Sequence, residues 1–171
     1  MQKPPNALFI GRFQPFHKGH EKAVNYLMKK YKRIKIIIGS AQEKRTPANP
    51  FSAKERIAML KKIANAHKEW KNKISFSLIN DSPSDAKWAT HVCKKFSRKK
   101  FAIFSDNLLV RKLLSNAGYC LDRSPLYARI SWQGAKIRIK IRKGKNYAGE
   151  IPIPIRKWMK SKGEKIVKSS N

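Results

Sequence analysis

Apolar and polar residues alternate along the chain with two different periods. Short apolar runs rich in β-branched or aromatic residues are typical of buried strands, and they fall at residues 7–11, 34–38, 74–79, 101–104 and 119–121. Between them, apolar residues three and four apart predict amphipathic helices, at residues 18–30, 53–66, 84–96 and 107–116. Strands that alternate with helices in this way predict an α/β fold, a Rossmann-like, doubly wound parallel sheet of about five strands with flanking helices.

The last third of the chain follows a less regular pattern. Residues 122–131 predict a loop. Residues 133–142 alternate small or aliphatic residues with lysine and arginine, and a period of two is typical of a strand. Residues 150–160 predict a short, late helix, because Pro152 and Pro154 suit a helix start better than its middle.

The length and composition predict one domain over residues 1–171, with loose ends at 1–6 and 163–171. No apolar run approaches the roughly 20 residues that cross a bilayer, and the N-terminus carries no secretory signal pattern. We therefore expect a cytoplasmic protein that does not enter a membrane. Cys93 and Cys120 match no metal-site spacing and are expected to be reduced thiols in or near the core.

The charge changes this picture only in part. Forty lysines and arginines against ten acidic residues give a formal net charge of +30. A nucleic-acid surface, a site for phosphorylated small molecules and a general compositional bias would each produce such an excess. The basic residues are spread over the whole chain, which favours the compositional bias, so we expect only weak, salt-sensitive adhesion to nucleic acid and no specific binding.

Polar clusters follow the predicted strands, at residues 11–20, 39–51, 80–88 and 105–111. Ligands of doubly wound folds bind beyond the carboxyl ends of the strands, so these clusters are the candidate site. In the first cluster, a glycine-bounded turn leads from a strand into a helix, where free backbone N–H groups and the helix dipole attract an anion. His17 and His20, three residues apart, would lie on one face and reach the same phosphate oxygens.

The residues of these clusters resemble a known family, the archaeal-type nicotinamide mononucleotide (NMN) adenylyltransferases of the HxGH nucleotidyltransferase superfamily. The matching segments extend over roughly residues 7–155. They are Gly-Arg-Phe-Gln-Pro-Phe-His-Lys-Gly-His at 11–20, Gly-Ser-Ala-Gln at 39–42, Asn-Pro-Phe at 49–51, Glu-Arg-Ile at 55–57, Asp81 with Trp88, and Ser105 with the segment 107–111.

The resemblance implies a reaction in which ATP and NMN give NAD and pyrophosphate. It assigns His17, His20 and Arg138 to the catalytic group. By the same resemblance the ATP-binding residues are Gly11, Arg12, Phe13, Lys18, Ser105, Asn107, Arg111 and Gly134. The NMN-binding residues are Ser40, Arg56, Asp81, Asp85 and Trp88, with Arg56 near the NMN phosphate and Trp88 stacked on the nicotinamide ring. Mg²⁺ would arrive on the ATP phosphates without protein ligands, and a homo-oligomer is expected.

The chain departs from the family pattern at two places. Where the family has a Ser and a Thr at a helix start, this chain has Gln133 and Ala135, although Arg138 is kept. The resemblance makes 133–142 a helix, and we favour the helix because Arg138 must reach the site. Asp85 stands where the family usually has an Asn that faces the nicotinamide amide, and an ionised Asp accepts hydrogen bonds but cannot donate them.

Each of these residues also has a plainer structural interpretation. The two histidines could be solvated or, with lower weight, a zinc pair. Arg56, Arg111 and Arg138 could be solvated helix charges, and Trp88 could be a core residue. At the level of function, the alternatives are another HxGH nucleotidyltransferase, acting on FMN or phosphopantetheine, or a catalytically weakened relative that binds nucleic acid.

Overall fold

The structure, a computed structural model, describes residues 4–122 and 132–170, and the strands found there form a four-stranded parallel sheet. The strands lie in the order β3-β2-β1-β4. β1 is central, because Phe9 pairs with Ile36 of β2 on one side and with Phe104 of β4 on the other. The bounds of the strands are β1 Asn6–Gly11, β2 Arg33–Ile38, β3 Ile74–Leu78 and β4 Phe101–Phe104.

Helices cover both faces of this sheet, so residues 7–10 of its central strand are all apolar and buried. On β1, Ala7 and Phe9 point into one core while Leu8 and Ile10 point into the other, as the two-residue period of a strand requires. Against the first core pack α1 Lys18–Met28, α2 Ala53–Ala66, α5 Gly134–Arg142, α6 Ile153–Trp158 and α7 Glu164–Ser169. Against the second pack α3 Asp85–Lys95 and α4 Leu108–Asn116.

The direction of winding reverses beside β1. From β1 the chain moves outward to β2 and β3, and it then crosses back to place β4 on the other side of β1. Ligands of open α/β sheets bind at such a switch point, outside the carboxyl ends of the strands. The turn that follows β1 therefore lies where a ligand is expected.

The predicted fifth strand at 119–121 is wrong. Within the described part of the chain it is reduced to one parallel bridge between Ile103 and Leu121. Two hydrogen bonds of 2.8 Å close the bridge, from the Ile103 N–H to the Cys120 oxygen and from the Asp122 N–H to the Ile103 oxygen. The described part of this segment ends at Asp122, whose carboxylate is buried against α1 and the turn after it.

Asp122 holds the end of this segment through a polar cluster. Its carboxylate accepts a hydrogen bond from the Tyr31 hydroxyl at 2.6 Å and pairs with the Lys30 ammonium at 2.9 Å. Burial and the bond to Asp122 raise the pKa of Tyr31, so its hydroxyl remains a donor. Asp122 is therefore fixed against α1, while residues 123–131, where most of the predicted loop falls, lie outside the described residues.

Residues 133–142 form a helix, so the expectation from the resemblance is confirmed and the expectation from the alternation is wrong. The reason is visible in α5. Ile137 and Ile141, four residues apart, are buried in the first core, while Ile139 is 51% exposed. Ile137 and Ile141 therefore form the buried face of a helix, although the alternation with basic residues has the period of a strand.

The prediction of a loose tail at 163–171 is also wrong for the residues described. The tail forms α7, on which Val167 is fully buried in the first core. The Ser170 hydroxyl continues the packing by donating to the Ile166 carbonyl at 2.6 Å. Val167 and its neighbour Ile166 are enough to pack this lysine-rich helix against the first core. The overall composition of the segment does not indicate this packing.

Smaller expectations are corrected at other places. Pro4 is buried and Asn6 already belongs to β1, so the predicted loose start is wrong from residue 4 onward. Cys93 and Cys120 are exposed rather than part of the core. Of the helices described, none combines the length and apolar character needed to cross a membrane.

The packing of α7 can be tested by a single truncation. Val167→Ala removes two methyl groups from a fully buried site, and we expect a loss of about 2 kcal/mol in the free energy of unfolding. Lys168→Ala on the exposed side of the same helix is the matched control and should change it by less than about 0.5 kcal/mol. Denaturant titration measures both, and equal effects would contradict the packed tail.

Candidate active site

A cavity of about 500 Å³ lies above the carboxyl ends of the strands, at the predicted switch point. Its walls come from the loops that follow the strands and from the N-terminal parts of α3, α4 and α5. The predicted site residues that line it are Gly11, Arg12, Phe13, His17, His20, Ser40, Asp81, Asp85, Trp88, Ser105, Asn107, Gly134 and Arg138. The fold therefore brings residues from very distant parts of the sequence to one cavity.

His17 and His20 cap the first turn of α1 by a reciprocal arrangement. The His20 N–H donates to Nδ1 of His17 at 3.4 Å, and the His17 N–H donates to Nδ1 of His20 at 3.3 Å. The two rings stack with their centroids 3.6 Å apart. The histidines therefore form a capping box, in which each ring satisfies a backbone donor that the helix start leaves free.

This arrangement determines the protonation of both rings. Because Nδ1 of each ring accepts a backbone hydrogen bond, each neutral imidazole carries its proton on Nε2. Burial lowers the pKa of His17 to about 4. Burial, together with His17, lowers the pKa of His20 well below its ordinary value. At neutral pH both rings are therefore uncharged and offer Nε2–H as a donor.

An aromatic wall supports the histidine pair. The His20 ring lies 4.9 Å from the Phe13 ring and 5.1 Å from the Phe16 ring, measured between centroids. Phe13 adopts a left-handed backbone with φ of 53°, which turns its ring back onto β1. A Cβ at Gly11 would meet this ring at 3.0 Å, so glycine is needed at that point. The predicted importance of Gly11 and Phe13 thus has a packing basis.

Arginines give the floor of the cavity a positive charge. Arg138 is 9% exposed and donates from Nε to the Pro47 carbonyl at 3.0 Å and from Nη1 to the Gln14 carbonyl at 2.7 Å. Burial, followed by the nearby Arg12, lowers the pKa of Arg138 to about 10, which leaves it charged at neutral pH. Arg12 itself is exposed at the cavity wall. Two cationic groups therefore face the same space as the histidine donors.

The structure does not bring Arg56, predicted to lie near the NMN phosphate, to the cavity wall, because its side chain is fully buried behind the cavity. Its Nη1 donates to the Arg12 and Gly39 carbonyls at 2.9 and 2.8 Å, and its Nη2 donates to the Ser40 carbonyl at 2.9 Å. The guanidinium thus joins the loop after β1 to the loop after β2. Arg56 is a positioning residue, and its buried charge adds to the positive field of the floor.

Lys18 and Arg111 are likewise not brought to the cavity wall. Lys18 follows His17 on α1, and one residue further along a helix turns a side chain to a different face. On α4 the wall is formed by Leu109, Val110 and Leu113 instead of Arg111. The part of the cavity next to α4 is therefore more apolar than the sequence predicts.

Gln14 is a site residue that the sequence reasoning did not single out. Its buried amide is bonded twice to Phe51: Nε2 donates to the Phe51 carbonyl at 2.8 Å and Oε1 accepts from the Phe51 N–H at 2.9 Å. This pairing fixes the turn after β1 against the loop that ends at α2. The signal for it was present, since Gln14 lies inside the matching segment 11–20, but its partner lies 37 residues away.

Two further helix starts open toward the cavity. Asn107 caps α4, with Oδ1 accepting from the Leu109 N–H at 2.9 Å, as its sequence position predicts. The Ser105 hydroxyl donates to the Ile10 carbonyl at 2.9 Å and joins the ends of β1 and β4. At the start of α5, Gly134 lies so close to the Gln14 carbonyl oxygen that a Cβ would meet it at 2.9 Å.

The opposite wall is acidic and aromatic. Asp81 accepts hydrogen bonds from the Ser40 hydroxyl and from the Gln42 amide, both at 3.1 Å, and so joins the loops after β2 and β3. Asp85 and Trp88 come from the first turn of α3 and line the cavity beside it. The cavity therefore has a basic end beyond the carboxyl end of β1 and an acidic, aromatic end beyond those of β2 and β3.

The neutral state of His17 predicts a particular pH dependence of stability. The unfolded chain protonates at this residue below pH 6.5, whereas the folded state resists protonation until about pH 4. The free energy of unfolding should therefore fall by about 3 kcal/mol between about pH 7 and pH 4 because of this group. His17→Asn keeps a capping oxygen and does not titrate, so denaturant titration should show a correspondingly smaller fall. An equal fall in both proteins would contradict the assignment.

Comparison with known proteins finds relatives over most of the chain. Residues 8–127 match the family described as cytidylyltransferase-like. The nicotinamide-nucleotide adenylyltransferase of Thermoplasma volcanium is 36% identical over 155 residues, which are 90% of this chain and 84% of that protein. The corresponding enzyme of Methanosarcina mazei is 33% identical, over 91% of this chain and 87% of that protein.

The fold also has a close counterpart among solved structures. A bifunctional NMN adenylyltransferase/ADP ribose pyrophosphatase from Francisella tularensis, complexed with AMP and a manganese ion, superposes with a TM-score of 0.78 at 20% identity. The match covers 97% of this chain, which spans about half of the Francisella protein (52%). With the sequence matches over most of both chains, the conclusion is that this chain belongs to the cytidylyltransferase-like family and, within it, to the nicotinamide-nucleotide adenylyltransferases.

Proposed function

We propose that the protein transfers the adenylyl group of ATP to NMN, forming NAD and pyrophosphate. The observation that supports this best is the division of one cavity into a basic end with histidine and arginine donors and an acidic, aromatic end. A triphosphate fits the first end. A planar, cationic pyridine ring fits the second.

The proposed reaction is a direct displacement at phosphorus. An oxygen of the NMN phosphate attacks the α-phosphorus of ATP, a new P–O bond forms, and the bond from the α-phosphorus to the oxygen that bridges to the β-phosphorus breaks. Pyrophosphate leaves with that electron pair. Because the nucleophile is already an anion, the protein needs no general base and contributes positioning and charge stabilisation.

Each group at the basic end has a defined part in this scheme. The Nε2–H groups of His17 and His20 donate to phosphate oxygens as neutral donors, and Arg12 and Arg138 balance the negative charge. The first backbone N–H groups of α5, at Gly134 and Ala135, face the same space and supply donors where the family pattern has two hydroxyls.

The metal ion is part of the nucleotide substrate in this proposal. The basic end of the cavity presents N–H donors, so a cation there would be held by phosphate oxygens, and we propose Mg²⁺ as that cation. The Francisella protein is complexed with AMP and a manganese ion, which supports a divalent cation as part of the proposed reaction. The cytoplasmic location, the homo-oligomer and the weak, non-specific adhesion to nucleic acid remain predictions from the sequence.

An acceptor panel tests the function directly. The purified protein with ATP and Mg²⁺ is given NMN, FMN or phosphopantetheine in separate reactions, and the products are separated by chromatography while pyrophosphate is measured. NMN should be the best acceptor and should give NAD and pyrophosphate in equal amounts. A faster reaction with another acceptor, or no pyrophosphate from any of them, would overturn the proposal.

The position of α5 can be tested with a matched pair of glycines. Gly134→Ala puts a Cβ 2.9 Å from the Gln14 carbonyl oxygen, so the start of α5 must move away from the phosphates. We expect kcat/KM for ATP to fall by about 10-fold or more, since displacements of about 1 Å are costly in a positioned site. The control is Gly149→Ala, where a Cβ would meet nothing within 4 Å. Steady-state rates that fall equally in both variants would contradict a specific role for Gly134.

A further inference from the structure

The two carboxylates at the acidic end of the cavity differ in what they contact. Both oxygens of Asp81 are occupied, one by the Ser40 hydroxyl and one by the Gln42 amide. The Asp81 N–H is also bonded, to Gln42 Oε1 at 3.1 Å. Asp81 therefore acts within the protein, as a clamp between two loops.

Asp85 has no such role. It is exposed at the cavity wall, and its carboxylate makes no hydrogen bond or ion pair with any residue in the described part of the chain. The cap of α3 is provided by Ser84, whose hydroxyl accepts from the Lys87 N–H at 3.3 Å. Asp85 is therefore required neither as a cap nor as a partner in the fold, and its carboxylate is available to a ligand in the cavity that it lines.

Asp85 lies at the cavity wall near an aromatic ring on the same helix. Asp85 is the first residue of α3, where the helix dipole favours a negative charge. Trp88, three residues further on, lines the cavity on the same face of the helix and packs at its base against the second core. A flat ring that lies against Trp88 would present its ring substituent within reach of Asp85.

We infer that Asp85 is a specificity-determining residue, which makes the enzyme prefer the carboxamide substrate NMN over its carboxylate analogue, nicotinic acid mononucleotide. This inference rests on the proposed function, because it takes the acidic end as the pyridine-binding end. An ionised carboxylate only accepts hydrogen bonds, so it can bind the N–H of a carboxamide.

The same carboxylate rejects the acid analogue for an electrostatic reason. The analogue would bring an ionised carboxylate against Asp85, with no donor between them, and like charges in close contact are repelled. Trp88 does not separate the two substrates, because both rings are pyridinium cations that stack equally on an indole. An Asn at this position could rotate its amide to donate or to accept and would tolerate both.

The experiment measures kcat/KM for both mononucleotides with the whole enzyme and saturating Mg²⁺–ATP. In the unmodified protein we expect NMN to be favoured by roughly 10- to 100-fold. Asp85→Asn should bring the two values to within a few-fold of each other, mainly because the KM for the acid analogue falls. Asp85→Glu, which keeps the charge, should retain the preference for NMN.

A control separates a local effect from a change in overall charge. Glu43→Gln removes one negative charge at a residue that does not line the cavity, and it should leave the preference unchanged. If NMN is adenylylated and Asp85→Asn leaves the ratio as it was, the inference about Asp85 is overturned while the proposed function stands. If neither mononucleotide is adenylylated by the unmodified protein, both are overturned. Thermal unfolding of each variant confirms that the comparison is made between folded proteins.

Discussion

The reciprocal hydrogen bonds between His17 and His20 are the interaction on which the site depends. They satisfy two backbone donors at the start of α1, and they hold the rings 3.6 Å apart in a stack. They also occupy Nδ1 of both rings, which leaves Nε2–H as the only donor that each neutral ring can offer to a ligand. Helix capping and the proposed recognition of phosphate are therefore two consequences of one local arrangement.

The loops around this pair are held by buried polar side chains that bind backbone groups. Gln14 joins the first loop to Phe51, Arg56 joins it to the loop after β2, and Arg138 joins it to α5. These bonds cross 37, 44 and 124 residues of sequence. A reaction whose nucleophile is already charged depends on such positioning more than on a reactive side chain, so it is consistent that the conspicuous arginines serve largely to build the cavity.

The sequence allows the sheet and the place of the cavity to be predicted because both follow from local patterns. The apolar run 101–104 and the cap at Asn107 appear in the structure where the pattern indicates them. The exceptions depend on long-range packing. The packing of α7 depends on Val167 and Ile166, and the burial of Arg56 requires carbonyl groups supplied by two distant loops. The spacing of apolar residues three or four apart does not predict such long-range contacts.

The ambiguity at α5 shows how a local pattern can mislead. Alternating isoleucines indicate a strand, yet only those four residues apart, Ile137 and Ile141, are buried. In the same helix Arg138, between them, reaches the Gln14 carbonyl at 2.7 Å. For residues 133–142, the resemblance to the family therefore predicts the local structure better than the period of the sequence does.

The most direct test of the reciprocal hydrogen bonds between His17 and His20 is the protonation state of the two rings in the free protein. Long-range proton–nitrogen NMR correlation of the imidazole rings distinguishes the Nε2–H form, the Nδ1–H form and the imidazolium ion. At about pH 7 we expect neutral rings at His17 and His20, each with its proton on Nε2. An imidazolium, or a proton on Nδ1, at either residue would contradict these hydrogen bonds.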